Sequence, residues 1–179
     1  TAMTLSLFRR LARDERGISA VEFALLAPVL IAFYLGMTEF CQGYMAHKRM
    51  GHVASAVADL VAQQEAVDRT SIDGIFQIGA LIMRPFSTAT LKQRVSSVTM
   101  TNNQLTLDWS RGSGLDAWTR DTVLTLPEGL IENGQSLVIA TATYDYDSPA
   151  DYLIPATTQF THTYYLRPRV SDKTLCSNC

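Results

Sequence analysis

The chain has 179 residues, a net charge of −2 and 18% charged side chains, enough for one domain of ordinary size plus a membrane segment. The charge is uneven: residues 1–17 carry Arg9, Arg10, Arg13 and Arg16 against Asp14 and Glu15, and the remainder carries 11 basic and 15 acidic groups. A mildly acidic body lacks the basic face that nucleic-acid phosphates require, which excludes a nucleic-acid partner.

The basic leader ends at Gly17 and runs into ISAVEFALLAPVLIAFYLGMT. From Ile18 to Thr38 there are 21 residues with Glu22 as the single charge, and about 20 apolar residues span a hydrocarbon core. The expected organisation is a leader over 1–17, a transmembrane helix over 18–38 and a folded body over 39–179. The arginines lie on the cytoplasmic side. The run is long for the apolar part of a cleaved secretory signal, and no A-x-A site follows it. Pro28 marks a helix kink. Glu22 is the anomaly, because an acid at the membrane centre costs about 2.5–3.5 kcal/mol and calls for a cation or a polar neighbour. If the chain were cut after Gly17, the new ammonium group of Ile18 on a neighbouring chain would be such a cation.

The helical pattern continues to about Gln64. Ala46, Met50, Val53, Val57 and Leu60 follow 4,3,4,3 spacing and form one face, with Lys48, Arg49, Ser55 and Asp59 opposite. A helix over 18–64 would be roughly 70 Å long. Gln64–Arg69 ends it. A second helix starts at Thr70 with Ser71 as N-cap, uses Ile75, Ile78, Gly79 and Ile82 as its apolar face, and stops before Pro85.

From Leu91 the period becomes two. Val95, Val98 and Met100 mark one strand, and Asn102-Asn103 a turn. Leu105, Leu107 and Trp109 form one face of the next strand. Arg111–Asp121 reads as a loop, Thr122–Leu126 as a short strand, and Glu132–Gln135 as a turn. Leu137–Tyr146 and Gln159–Arg167 read as strands, with a loop over Asp147–Pro155 between them. Helices followed by strands predict an α+β fold. It comprises a long N-terminal transmembrane and amphipathic helix, a short second helix, and an antiparallel sheet of four or five strands with one face under the amphipathic half of the long helix.

Little in the chain reads as catalytic. The motifs HExxH, GxSxG and the Walker loop are missing from the sequence. His47 and His52 are five apart, off the spacing that stacks two side chains on a helix, and these two and His162 read as surface residues. Asp145, Asp147 and Asp151 in YDYDSPADY offer oxygens to Ca²⁺, but Pro149 and Ala150 break the calcium-loop pattern and a solvated loop fits better. No cofactor and no small-molecule substrate is expected. Cys41 lies near the outer end of the membrane segment. Cys176 and Cys179 read either as two thiols or as a short disulfide in an oxidising compartment.

The segment RRLARDERGISAVEFALLAPVLIAFYLGMTEF resembles the TadE-like proteins, minor pseudopilins of tight adherence (Tad/Flp) pilus systems, with broader kinship to type IV pilins. In that family a prepilin peptidase cuts after a glycine and a glutamate occupies the fifth mature position, which here are Gly17 and Glu22, with Phe23 following where the family has an aromatic, so the resemblance implies that Glu22 and Phe23 serve assembly and pairing with the N-terminal amine. ADLVAQ, Met83-Arg84-Pro85, Trp109-Ser110, YDYDSP and RPRVSD look like the periplasmic part of larger TadE/TadG-type proteins. The resemblance implies a pilin-like, non-enzymatic, single-pass protein of a bacterial inner membrane, with its leader cytoplasmic and its body periplasmic. The implied partners are other pilins and pseudopilins, the Tad inner-membrane assembly platform, and the peptidase that processes the chain between Gly17 and Ile18. The alternative is a membrane-anchored periplasmic binding or adhesion module that is not processed.

Overall fold

The computed structural model describes residues 17–120, 122, 126–127, 129–148 and 157–179. The leader, most of the expected strand Thr122–Leu126 and most of the expected loop Asp147–Pro155 therefore lie outside the described residues.

A single helix, α1 (Ile18–Ala62), runs for 45 residues and continues through Pro28. At 1.5 Å per residue it is about 68 Å long. Its buried stripe begins further toward the N-terminus than the apolar spacing implies: Gly36, Glu39 and Gly43 precede Ala46, Met50, Val53 and Val57 at alternating steps of three and four. Small residues at Ala54, Ala58 and Ala62 widen the stripe and let the sheet approach closely. Leu60 packs at its margin.

After α1 the chain forms a two-residue strand, β1 (Ala66–Val67), and then α2 (Arg69–Ile82). The cap of α2 is Asp68 rather than Ser71. Asp68 Oδ1 accepts from Ser71 N at 2.7 Å, and Ser71 Oγ accepts from Asp68 N at 2.9 Å, so Ser71 is the third helical residue of a reciprocal capping box. The bond to the Ser71 backbone holds the Asp68 carboxyl below its ordinary range. The apolar face of α2 is Ile72, Ile75, Phe76 and Gly79, whereas Ile78 points to solvent.

Four strands, β2 (Leu91–Thr101), β3 (Gln104–Ser113), β4 (Ser136–Asp147) and β5 (Thr157–Leu166), form an antiparallel sheet in the order β3-β2-β4-β5. The architecture is α+β, as expected. Asn102 and Asn103 both take positive φ, 50° and 59°, which makes the two-residue hairpin turn that matches strand twist. β3 extends to Ser113, so the first part of the expected loop over Arg111–Asp121 is strand.

The expected single face of β3 is also corrected. Val98 pairs with Leu107 but Ser97 pairs with Trp109, so Asp108 is the extra residue of a β-bulge. The bulge sends Trp109 to the helix-covered face and leaves Leu105 and Leu107 on the other. Asp108 Oδ2 then accepts from Thr99 Oγ1 at 2.6 Å.

The main core joins α1 and α2 to Val95, Trp109, Val138, Ala140, Ala142, Tyr144 and Tyr146. A smaller cluster of Val98, Ile131, Leu137 and Ile139 lies beneath the far face, so β4 is buried on both sides near its start. The C-terminal segment returns to the end of α1. Arg169 N donates to Ala62 O, Trp109 Nε1 donates to Thr174 O at 2.8 Å, and β6 (Leu175–Cys176) pairs in parallel with β1.

Candidate functional site

The first half of α1 differs from the rest of the chain. None of its most apolar 18-residue window is buried. Val21, Leu25, Leu26, Val29, Leu30, Ile31 and Phe33 all face outward around the whole circumference, and Phe23 is 70% exposed. A helix apolar on every side needs an apolar surrounding. One long apolar N-terminal helix of this kind fits a single-pass membrane anchor.

Gly17 stands at the N-cap of this helix with φ −95° and ψ −7°. That conformation is open to any residue, and a Cβ at Gly17 would meet nothing within 4 Å. Among the described residues neither backbone nor packing requires glycine there. Ile18 opens the first turn. Glu22 lies one turn further on, exposed, with no hydrogen bond or ion pair to any other described residue. Phe23 is beside it, and Pro28 lies inside the helix. These positions share one exposed element, and the folded body covers none of them.

The body begins at a second acid that the apolar pattern does not announce. Glu39 is the first charge after the uncharged run and is only 2% exposed. Its carboxylate accepts from Ser148 Oγ, tying α1 to the residue just after β4 across 109 positions of sequence. Tyr146, buried alongside, has its phenol pushed above the ordinary range, first by burial and then by the Glu39 charge. On the outer surface Phe40 stacks with Tyr44, and Lys48 Nζ lies 5.8 Å from the Tyr44 ring centre. Aromatic and cationic side chains of this kind favour the membrane–water boundary.

Of the three acidic residues of the candidate calcium loop, Asp145 and Asp147 are described. Asp145 is held within the sheet, its Oδ1 accepting from Gln159 Nε2 at 2.6 Å and its Oδ2 from Lys92 Nζ at 3.3 Å. These bonds, that to Gln159 foremost, hold its carboxyl below the ordinary range. Asp147 ends β4, and Asp151 lies outside the described residues. Among the described residues no three His, Cys, Asp or Glu side chains come together as a metal site. Cys176 and Cys179 are bonded to each other, and Cys41 is an exposed thiol.

The histidines need correction. His52 is exposed as expected, but His47 and His162 meet, with their Nε2 atoms 3.2 Å apart. Burial, then His47 and Lys48, push the His162 imidazole below its ordinary pKa. Sequence spacing could not find this pair, because its members belong to a helix and to the last long strand. The Glu39–Ser148 contact escapes for the same reason. Its one signal is an acid on the stripe that runs through Gly36, Gly43 and Ala46.

The family model described as TadE-like protein matches residues 17–59, which is Gly17 and almost the whole of α1. The match is consistent with a Tad pilus component, a structural rather than an enzymatic family. No curated protein and no solved structure matches the chain.

Proposed function

We propose that this chain, TadE-like over residues 17–59, is a minor pseudopilin or assembly component of a Tad pilus. It is held in the bacterial inner membrane by residues 18–38, with the leader cytoplasmic and the body over 39–179 periplasmic. The observation that carries the reading is an apolar helix end with no cover from its own body, bearing Gly17 and Glu22 five residues apart.

Two features support processing after Gly17 by a prepilin peptidase. Among the described residues nothing in the fold requires glycine at this position, which suits a residue read by a peptidase. The cut would also create an ammonium group at Ile18. A neighbouring chain staggered along the helix axis would set that ammonium against Glu22, beside Phe23. In lipid, where apolar packing discriminates poorly between registers, such a pair fixes the stagger of adjacent helices. Its partners are other pilins and pseudopilins and the Tad assembly platform. The role needs no cofactor and no catalysis. The Cys176–Cys179 disulfide suits an oxidising compartment.

Mass spectrometry of the protein purified from membranes tests the proposal. Ile18 is expected as the N-terminal residue when the peptidase is present, and the uncut chain when it is deleted or when Gly17 is replaced by a bulky residue. Full-length protein that is indifferent to the peptidase would leave a membrane-anchored periplasmic binding or adhesion module as the better reading.

A further inference from the structure

His47 on α1 and His162 on the edge strand β5 are 115 residues apart in sequence, and the fold sets their Nε2 atoms 3.2 Å apart. We propose that this pair is a binding site for one divalent transition-metal cation of the kind that favours imidazole, such as Zn²⁺ or Cu²⁺, and that the bound ion clamps β5 to α1.

The spacing carries the argument. Two nitrogens at about 2.0–2.1 Å from a tetrahedral Zn²⁺ lie about 3.3 Å from each other. The observed separation is that of a direct Nε2–Nε2 hydrogen bond and lies close to the bite of such an ion, so a small turn of the two rings would exchange the shared proton for the metal. The ring centres are 4.6 Å apart with the planes at 59°, so the rings meet at an angle rather than end to end.

Both rings are already held in place. Phe160 packs edge-on against His47, with centres 5.2 Å apart and planes at 85°. His162 is fixed by the pairing of β5 with β4, where it stands opposite Ala142. Gly51, one helical turn beyond His47, leaves a flat place where the His162 ring rests, since a Cβ there would lie 3.7 Å from Nε2. Both histidines are half-buried, so solvent reaches the pair.

Among the described residues no third His, Cys, Asp or Glu joins them, so the pair supplies two of the ligands of the ion. Lys48 follows His47 directly in sequence, and its ammonium lies over the Tyr44 ring. Two protein ligands beside one cation imply micromolar rather than nanomolar affinity. The proposal does not depend on the pilus reading.

The test uses the full chain in detergent, without an affinity tag and with Cys41→Ser to remove the exposed thiol. Calorimetric titration with Zn²⁺ should show one ion per chain. His47→Gln and His162→Gln should each weaken binding at least tenfold, and His52→Gln, on the same helix but exposed, should leave it unchanged. Electron paramagnetic resonance of the Cu²⁺ form of the chain with all three histidines should show two imidazole nitrogens, a readout that stands even if a substituted chain fails to fold. Absent Zn²⁺ binding, binding undiminished in a folded His47→Gln or His162→Gln chain, loss with His52→Gln, or fewer than two nitrogens on Cu²⁺ would each overturn the site.

Discussion

The two halves of α1 are one unbroken helix with two different surfaces. From Ile18 to Phe33 the apolar side chains point in every direction and stay exposed among the described residues. From Ala46 to Ala62 the apolar residues collapse onto one stripe, and that stripe is the floor of the main core. The helical backbone is common to both, so the difference lies in the side chains. All-round hydrophobicity requires lipid or other helices, whereas a stripe of alternating three- and four-residue steps requires a sheet. Glu39 stands at the changeover, an acid tolerated in a buried position because Ser148 donates to it.

The sharpest way to break this comparison is to place the same charge in each half. Val57→Asp buries an unpaired carboxylate under the sheet, at a cost of several kcal/mol, a large part of the stability of an ordinary domain. The body is expected to lose its cooperative thermal transition, as followed by circular dichroism of the full chain in detergent. Leu30→Arg should do the opposite. The body's transition should stay within a degree or two, while membrane insertion weakens by about 2.5–3.5 kcal/mol, which flotation of membranes after carbonate extraction would reveal. A body that melts early in the Leu30 variant would show that the two halves are coupled after all.

A smaller effect separates the halves by pH. Asp145 belongs to the body and has a folded pKa held below its unfolded value by Gln159 and Lys92. Its contribution to stability is therefore complete above the unfolded pKa, near 3.8, and is lost as pH falls through the folded value. Asp145→Asn should lower the melting temperature slightly at neutral pH and flatten its fall below pH about 4. Because the group is solvent-accessible the change is modest. Membrane retention measured over the same range should not follow it. Equal acid sensitivity in the Asn variant would remove Asp145 from the account.

Much of the fold can be read from local pattern. The α1 boundaries, the body-facing stripe, the paired asparagines of the β2–β3 turn and the two long C-terminal strands all follow from periodicity and turn chemistry, which act between residues a few positions apart. Local pattern also leaves choices that only contact resolves. Both Ser71 and Asp68 are residue types that cap helices, and Asp68 is the cap because its carboxylate reaches the Ser71 amide while Ser71 Oγ returns to the Asp68 amide. Ile78 sits at a helical spacing that suits the core, yet it faces solvent because α2 lies on α1 through Ile72, Ile75 and Phe76.

At the candidate site, local pattern alone carries the basic residues 9–16, an apolar helix long enough for a bilayer, and Gly17 and Glu22 at its mouth. These are properties of composition and spacing along one helix, and no distant residue is needed to state them. Whatever depends on chain return is visible in the folded molecule alone. The bulge at Asp108 turns Trp109 toward Thr174, the C-terminal segment closes on β1, Ser148 meets Glu39, and His162 meets His47. Each is a contact between residues brought together by strand register and packing, and register is set by the whole sheet rather than by any segment within it.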